Sequence, residues 1–488
     1  MQQTTVSGSN SKKTITLLVV IAMSFMATLD SSIVNSVLPV MSKKMNVTLS
    51  SIEWVIASYS IIICCTLLFF GRLGDIIGKS RVFQCGTVVF TAASLLCGLC
   101  HTLPMLIACR FIQGVGASAY MANNQGIVTE LFPNEGRGKA LGLLGTAVAL
   151  GTMIGPPAGG FIVSVLDWNY IFLLNVPIGI LVFLLGLKHL PKGTKSNEQM
   201  DKAGAILQFF GTVLLFTVLI QAQKVGFENP YILSGVLLSV VLIALFIRLE
   251  KRHPQPLLEL RIFQNKIFSL SLICGLISFI CIQSSVILLP FYLQDTLKFT
   301  PSQAGLFLMI SPMVMAVLSP AFGTLSDKIG SEVITLVGLL FMSAGFLFLS
   351  TMNEHSLLAV CAVYVSVLAV GQSLFQPANN SLIMSSCPKN KLGIAGSVNS
   401  FVRNLGLSVG IIFSTTLLYS FMSQKMNYRV SDYVTGRDDV FVYGMSRVYL
   451  ILVVVCCAGA ALTAFRMYQS KKILKSAPQA AVSPDADQ

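Results

Sequence analysis

The sequence predicts an all-α integral membrane protein of fourteen transmembrane helices, built as two six-helix bundles with two further helices inserted between them. Three observations carry this prediction. Hydrophobic residues make up 54% of the chain and charged residues 11%, with a mean hydropathy of +0.77, which leaves too little polar surface to clothe a water-soluble globule. Fourteen apolar runs are long enough to cross a hydrocarbon core about 30 Å thick. Finally, Gly71-Arg72-Leu73-Gly74-Asp75-Ile76-Ile77-Gly78 returns, degraded, as Gly323-Thr324-Leu325-Ser326-Asp327-Lys328-Ile329-Gly330, an offset of 252 residues. At roughly 30 residues per span and loop, that offset holds eight helices.

The first run, near 15–40, follows Lys12 and Lys13 and closes on Val37-Leu38-Pro39. No small-residue cleavage site follows it, so it reads as an uncleaved first helix and not as a signal peptide. Runs near 53–70 and 82–100 flank the Gly71–Gly78 segment, and runs near 103–127, 140–165 and 169–187 complete a first bundle over 14–188. Runs near 203–222 and 231–249 are the insertion, within 189–266. They are bounded by the most charged linkers of the chain, the second of them stiffened by Pro254 and Pro256. Runs near 267–290, 303–325, 333–350, 357–380, 393–420 and 446–467 form the second bundle, over 267–468. Its first run closes on Leu288-Leu289-Pro290, with Pro290 251 residues after Pro39, a second landmark for the duplication. The polar ends, 1–13 and 469–488, read as cytoplasmic tails, the latter disordered. The 422–444 segment reads as a solvated outer loop or a cap over an exit.

Orientation follows from Lys and Arg, which are in excess in cytoplasmic loops. With the N-terminus inside, 23 of the 33 Lys and Arg fall in inner segments and 8 in outer loops, while Arg110 and Arg403 lie within helices. The +13 charge is therefore topogenic; it is scattered over short loops and forms no basic, aromatic-interleaved patch for nucleic acid. The twelve cysteines lie almost entirely in apolar runs and suggest no disulfide framework. Cys97-Gly98-Leu99-Cys100-His101 matches a haem-attachment pattern, yet the short loop after it leaves little room for a haem. No metal-ligand cluster or nucleotide loop supports an enzyme.

Asp30 stands in the outer half of an apolar helix, before Ser31, Ser32 and Asn35. A carboxylate at that depth costs about 2.5 to 3.5 kcal/mol, so it is either a proton carrier or one half of a structural salt bridge. Arg110 is the expected partner, on a stripe that continues through Gln113, Gly114, Ala117, Ser118 and Met121. The alternative for Arg110 is helix glue alone. Gly151, Gly155 and Gly159, with Gly160 and the Pro156-Pro157 pair, make a helix suited to close packing and sliding. Around Gly71, Asp75 and Gly78 we expect a tight turn, with Arg72, Lys79 and Arg81 serving topology. Asp75 is expected to cap a helix or to pair with a cation of the neighbouring bundle as a conformational latch.

These segments, together with Leu29 to Pro39 and Arg110-x-x-Gln113-Gly114, resemble the fourteen-span drug:proton antiporters of the major facilitator superfamily, of EmrB/QacA type. Asp167 to Pro177 is similar to the junction of helices 5 and 6 in that family, and Phe375 to Asn380 and Arg403-Asn404-Leu405-Gly406 resemble its second half. The resemblance implies a major facilitator fold, proton coupling through Asp30 and Arg110, gating at Asp75 with a C-terminal counterpart at Asp327, and export marked by the Gly151–Gly160 segment. It departs in one place: 251 residues after Asp30 stands Cys281, with no second carboxylate at that depth.

The expected function is proton-coupled efflux of drugs, organic cations or lipophilic compounds by alternating access, or dedicated export of an endogenous metabolite, lipid or antibiotic. No cofactor, metal or nucleic acid is expected. The chain is placed as a monomer in a bacterial plasma membrane, with small molecules, protons and the bilayer as its partners. The substrate cavity is expected to draw on Met23, Met26, Tyr59, Gln113, Met121, Gln283, Gln376, Asn380 and Asn399, since aromatic faces attract cations and methionines repack around varied shapes.

Overall fold

The computed structural model describes residues 3–132, 137–191, 200–225, 229–258, 260–387, 392–430, 432–434 and 436–476. Fourteen of its helices are long and apolar enough to span a membrane. They are α1 (Lys13–Met45), α2 (Leu49–Ile77), α3 (Lys79–Gly98), α4 (Leu103–Leu131), α5 (Leu143–Val165), α6 (Tyr170–His189), α7 (Lys202–Ala222), α8 (Pro230–Glu250), α9 (Lys266–Thr296), α10 (Pro301–Ser326), α11 (Ser331–Leu349), α12 (Leu358–Ser385), α13 (Val398–Met426) and α14 (Asp438–Tyr468). Such helices satisfy every backbone group internally, which a hydrocarbon environment demands.

Packing repeats with the duplication. In the first bundle α1 packs on α5 and α6, α4 on α2 and α3, and α3 on α6. In the second, α9 packs on α13 and α14, α12 on α10 and α11, and α11 on α14. The bundles meet through α5 against α10 and α2 against α13, which are again equivalent pairs. The inserted α7 packs on α2 and α13, and α8 packs chiefly on α7. Only 17% of the most apolar window of α8 is buried in the protein, so this helix faces lipid.

The repeated turn carries the same backbone device twice. Gly78 has φ 104° and Gly330 has φ 104°, a region that residues with a Cβ rarely occupy, and each joins one helix to the next through a single residue. The expected turn around Gly71, Asp75 and Gly78 is thereby corrected: the helix runs on through Ile77 and only Gly78 breaks it. Gly74 serves packing instead, since a Cβ there would lie 1.8 Å from Asn123 Oδ1 of α4, whereas one at Gly71 would meet only Ala122 at 3.9 Å. In the second half the helix likewise continues through Asp327 to Ile329, and the Asp327 side chain lies outside the described residues.

The C-terminal tail differs from expectation. Helix extends from Gln3 into α1 and beyond α14 to Ser476, so 469–476 is helical. The rest of the expected disordered tail lies outside the described residues.

Candidate functional site

Asp30 and Arg110 are brought together as expected. Arg110 Nη1 donates to Asp30 Oδ2 at 2.7 Å, with both side chains fully buried. Asp30 Oδ1 accepts from Gln113 Nε2 at 3.2 Å and from Asn175 Nδ2 of α6 at 2.6 Å. Arg110 also donates from Nε to the Val55 carbonyl at 3.0 Å and from Nη1 to Gln113 Oε1 at 2.6 Å. Its guanidinium lies 4.2 Å from the Tyr59 ring centroid and 5.5 Å from that of Phe172, contacts that favour a desolvated cation. Gln113 is fixed in turn by Ser94 Oγ at 2.8 Å. Three donors on one carboxylate suit its ionised form.

Two of these residues escaped the sequence reading as site residues, Asn175 and Ser94. The available signal was a buried amide and a buried hydroxyl in otherwise apolar spans, where polar groups need partners.

The helix that carries Asp30 rests on a seam of glycine. A Cβ at Gly151 would lie 2.7 Å from the Phe25 carbonyl oxygen, one at Gly155 2.4 Å from Ser32 Cβ, and one at Gly159 2.9 Å from Ser36 Oγ, all on α1. The adjoining face of α5 meets the other bundle. A Cβ at Gly160 would lie 2.4 Å from the Pro301 carbonyl oxygen, and one at Gly305 of α10 would lie 2.3 Å from the Pro156 carbonyl oxygen. One helix therefore packs both on the helix that carries Asp30 and on the other half.

The two ends of the molecule differ. At the Lys43 end the halves are joined: Lys43 pairs with Asp295 at 2.6 Å, Gln294 Nε2 donates to the Ser36 carbonyl at 3.0 Å, Asp432 Oδ1 accepts from the Leu49 amide at 2.9 Å, and Tyr419 Oη donates to Glu53 Oε1 at 3.1 Å. At the Gly78 end lies a cavity of about 1570 Å³, walled by α2 and α4, by the linker after α8, and by Met384, Val398 and Ser400 of the second half.

Asp75 faces this cavity, and the cation on it is not one from the other bundle. Lys79, four residues on, holds it at 3.0 Å and also meets Glu130 of α4 at 2.7 Å. Among the described residues no cation of the second half pairs with Asp75, so the expected latch is not formed here. Arg81 is exposed and leans on the Ile77 carbonyl.

The expected cavity wall is also redrawn. Met121 lines the cavity. Tyr59 and Gln113 do not, because they are taken up by Arg110 and Asp30, and Met23 and Met26 are fully buried in the apolar core of the first bundle. Gln283 is 6% exposed beside Gly410, Gln376 is half-buried, and Asn380 is exposed and bonded by Asn399 at 2.9 Å. None of these four borders the described cavity. Arg403 of α13 lies half-buried, 5.9 Å from the Phe279 ring.

All twelve cysteines are free. Within the haem-like pattern, Cys97 and Cys100 are buried, Cys97 against Gln113 at 3.8 Å and Cys100 against Cys109 at 3.6 Å, while His101 is exposed.

A model described as the Major Facilitator Superfamily matches residues 20–411. The chain belongs to that superfamily. The riboflavin transporter RibZ of Clostridioides difficile (strain 630) is 33% identical to it over 463 residues, covering 94% of this chain and 99% of that protein. The multidrug export protein EmrB of Haemophilus influenzae is 30% identical over 403 residues, covering 81% and 78%. A crystal structure of a POT family transporter in complex with a thioalcohol-conjugated peptide shares the fold, with a TM-score of 0.69 and 16% identity over 94% of this chain and 96% of that one. The major facilitator fold thus accounts for both bundles, and the facilitator relatives are transporters.

Proposed function

We propose that the protein is a proton-coupled exporter of drugs and other lipophilic or cationic small molecules, working by alternating access. The observation that carries this reading is the buried, three-donor Asp30 site, joined through the α5 glycine seam to the contact between the halves. The multidrug export protein among its relatives supports the direction of transport.

The excess of Lys and Arg at the Gly78 end supports a cytoplasmic place for that end and for both termini, in a plasma membrane. The structure then stands open inward and sealed outward, with Asp30 held by Arg110, Gln113 and Asn175. Substrate enters from the cytoplasm, the halves rock about the α5–α10 and α2–α13 contacts, and the Lys43 end opens. A proton from outside then reaches Asp30 and displaces a donor. On return inward Arg110, Gln113 and Asn175 close on Asp30 again and the proton leaves to the cytoplasm. Because α1 lies on glycine, its movement passes to α5 and from there to α10. The energy source is the proton gradient, with no bound cofactor; each elementary charge moved is worth about 2.3 kcal/mol per 100 mV. Exchange of one proton for a monovalent cation is electroneutral. The working unit is a monomer.

Everted vesicles test this, with efflux of cationic and neutral dyes compared between wild type and Asp30→Asn. Loss of accumulation and of the response to an imposed pH difference is expected in the variant. Accumulation that survives and still follows pH removes Asp30 from coupling.

A second reading, dedicated export of one metabolite, is compatible with the riboflavin transporter, whose name gives one substrate and which matches nearly its whole length. Wild-type vesicles that move riboflavin but none of the dyes would select it.

A further inference from the structure

Two buried carboxyl groups stand at the ends of the inserted helices, outside the Asp30 site. Asp201, immediately before α7, and Glu250, the last residue of α8, are each 3% exposed. Each uses one oxygen locally: Asp201 Oδ1 accepts the Gly204 amide at 2.8 Å, and Glu250 Oε1 accepts the Leu258 amide where the linker turns back. Their remaining oxygens, Asp201 Oδ2 and Glu250 Oε2, are buried and have no hydrogen-bond partner.

These two oxygens converge. A Cβ at Gly204 would lie 2.3 Å from Asp201 Oδ2 and 3.1 Å from Glu250 Oε2, and the two carboxyl groups are within hydrogen-bonding reach of each other. Glycine at 204 is what leaves room for the pair. No Lys, Arg or His forms an ion pair with either group among the described residues. The basic groups around them are engaged or turned away: Arg72 donates to Gln255, Lys79 holds Asp75 and Glu130, and Lys202, Arg248, Lys251 and Arg252 are exposed. His253 is half-buried, with Nδ1 accepting the Gln255 amide.

Two acceptors face each other here with no donor between them. Two ionised carboxylates so placed repel, and burial removes the water that would screen them. The geometry points to a single proton shared between Asp201 Oδ2 and Glu250 Oε2, a proton-binding site separate from Asp30. One proton leaves the pair with a single negative charge and supplies the missing donor. It also ties the start of α7 to the end of α8, and Glu250 itself lines the cavity. A divalent metal fits less well, since no group of three His, Cys, Asp or Glu gathers among the described residues. When the proton leaves, repulsion parts the two helix ends and frees the linker that walls the cavity.

The test uses the full chain in lipid nanodiscs without substrate or gradient, so its outcome is independent of whether the protein exports. Infrared spectra of wild type, Asp30→Asn, Asp201→Asn and Glu250→Gln are compared at neutral pH. Wild type and Asp30→Asn are expected to share a protonated-carboxyl band that each of the other two variants loses, because an amide there donates to the remaining carboxylate and leaves it ionised. Raising the pH until that band disappears should lower hydrogen-exchange protection of the Gly204 and Leu258 amides about ten-fold in wild type, with no such step in Asp201→Asn or Glu250→Gln, which also shows that those variants fold. A band that both variants keep, or that vanishes in Asp30→Asn, overturns the proposal. So does a band that appears in wild type only after sodium and potassium are removed, since a cation would then hold the site.

Discussion

Asp30 and Cys281 occupy corresponding positions of the two bundles, and each reaches across to the last helix of its own half. Asp30 accepts from Asn175 of α6 at 2.6 Å, and Cys281 meets Cys456 of α14 at 3.6 Å. The duplication has kept this helix contact and exchanged its chemistry: one half holds a charge, the other two thiols.

This asymmetry makes the ion pair separable from the scaffold. Removing one partner of a buried pair costs about 3–5 kcal/mol, because the other charge is left uncompensated. Arg110→Ala is therefore expected to lower thermal stability in detergent sharply. The double variant Asp30→Asn/Arg110→Gln should recover much of that loss and remain uncoupled. A double variant no more stable than Arg110→Ala would show that Arg110 acts by packing alone.

The seal at the Lys43 end joins halves that must separate. A Lys43→Cys/Asp295→Cys pair should crosslink under oxidation and stop transport, with reductant restoring it. Because Lys43 is 66% exposed, Lys43→Ala alone should change stability by less than about 1 kcal/mol. Transport that continues through a complete crosslink would mean that this end does not open.

Gly305 and Gly160 set how closely α5 and α10 approach. Gly305→Ala puts a methyl group 2.3 Å from the Pro156 carbonyl oxygen, so the contact must loosen. Thiol labelling of a cysteine at Ser36, beneath the seal, should become faster in this variant. Unchanged labelling would place the moving contact elsewhere.

Gly78 and Gly330 should be equally intolerant of a side chain. A backbone in so sparsely populated a region costs a residue with a Cβ roughly 1–3 kcal/mol, so Gly78→Ala and Gly330→Ala are each expected to lose about that much stability in denaturant or thermal melts. Gly71→Ala, whose Cβ would meet only Ala122 at 3.9 Å, should be nearly neutral.

Much of this was legible in the chain. Apolar run length predicts the helices, the repeat at Asp75 and Asp327 predicts two bundles and an insertion, and Asp30 and Arg110 stand out because charge is expensive at their depth. The cavity wall was less legible. Tyr59, Gln113 and Met26 carry the right chemistry for a ligand, but a stripe on a helix does not say whether it faces the cavity or its own bundle. Asp75 is expected from the sequence as a helix cap or a latch between halves, while its partner here is Lys79, four residues away.

The sequence by itself determined the number of helices, the duplication and the presence of one expensive carboxylate, because these follow from local hydropathy and spacing. Tertiary structure decided which polar groups meet. Asn175 reaches Asp30 across 145 residues of chain, and Asp201 faces Glu250 from the far end of another helix pair. Such partners are chosen by helix rotation and packing, which depend on every contact of a bundle at once and leave no mark in the spacing of any single span.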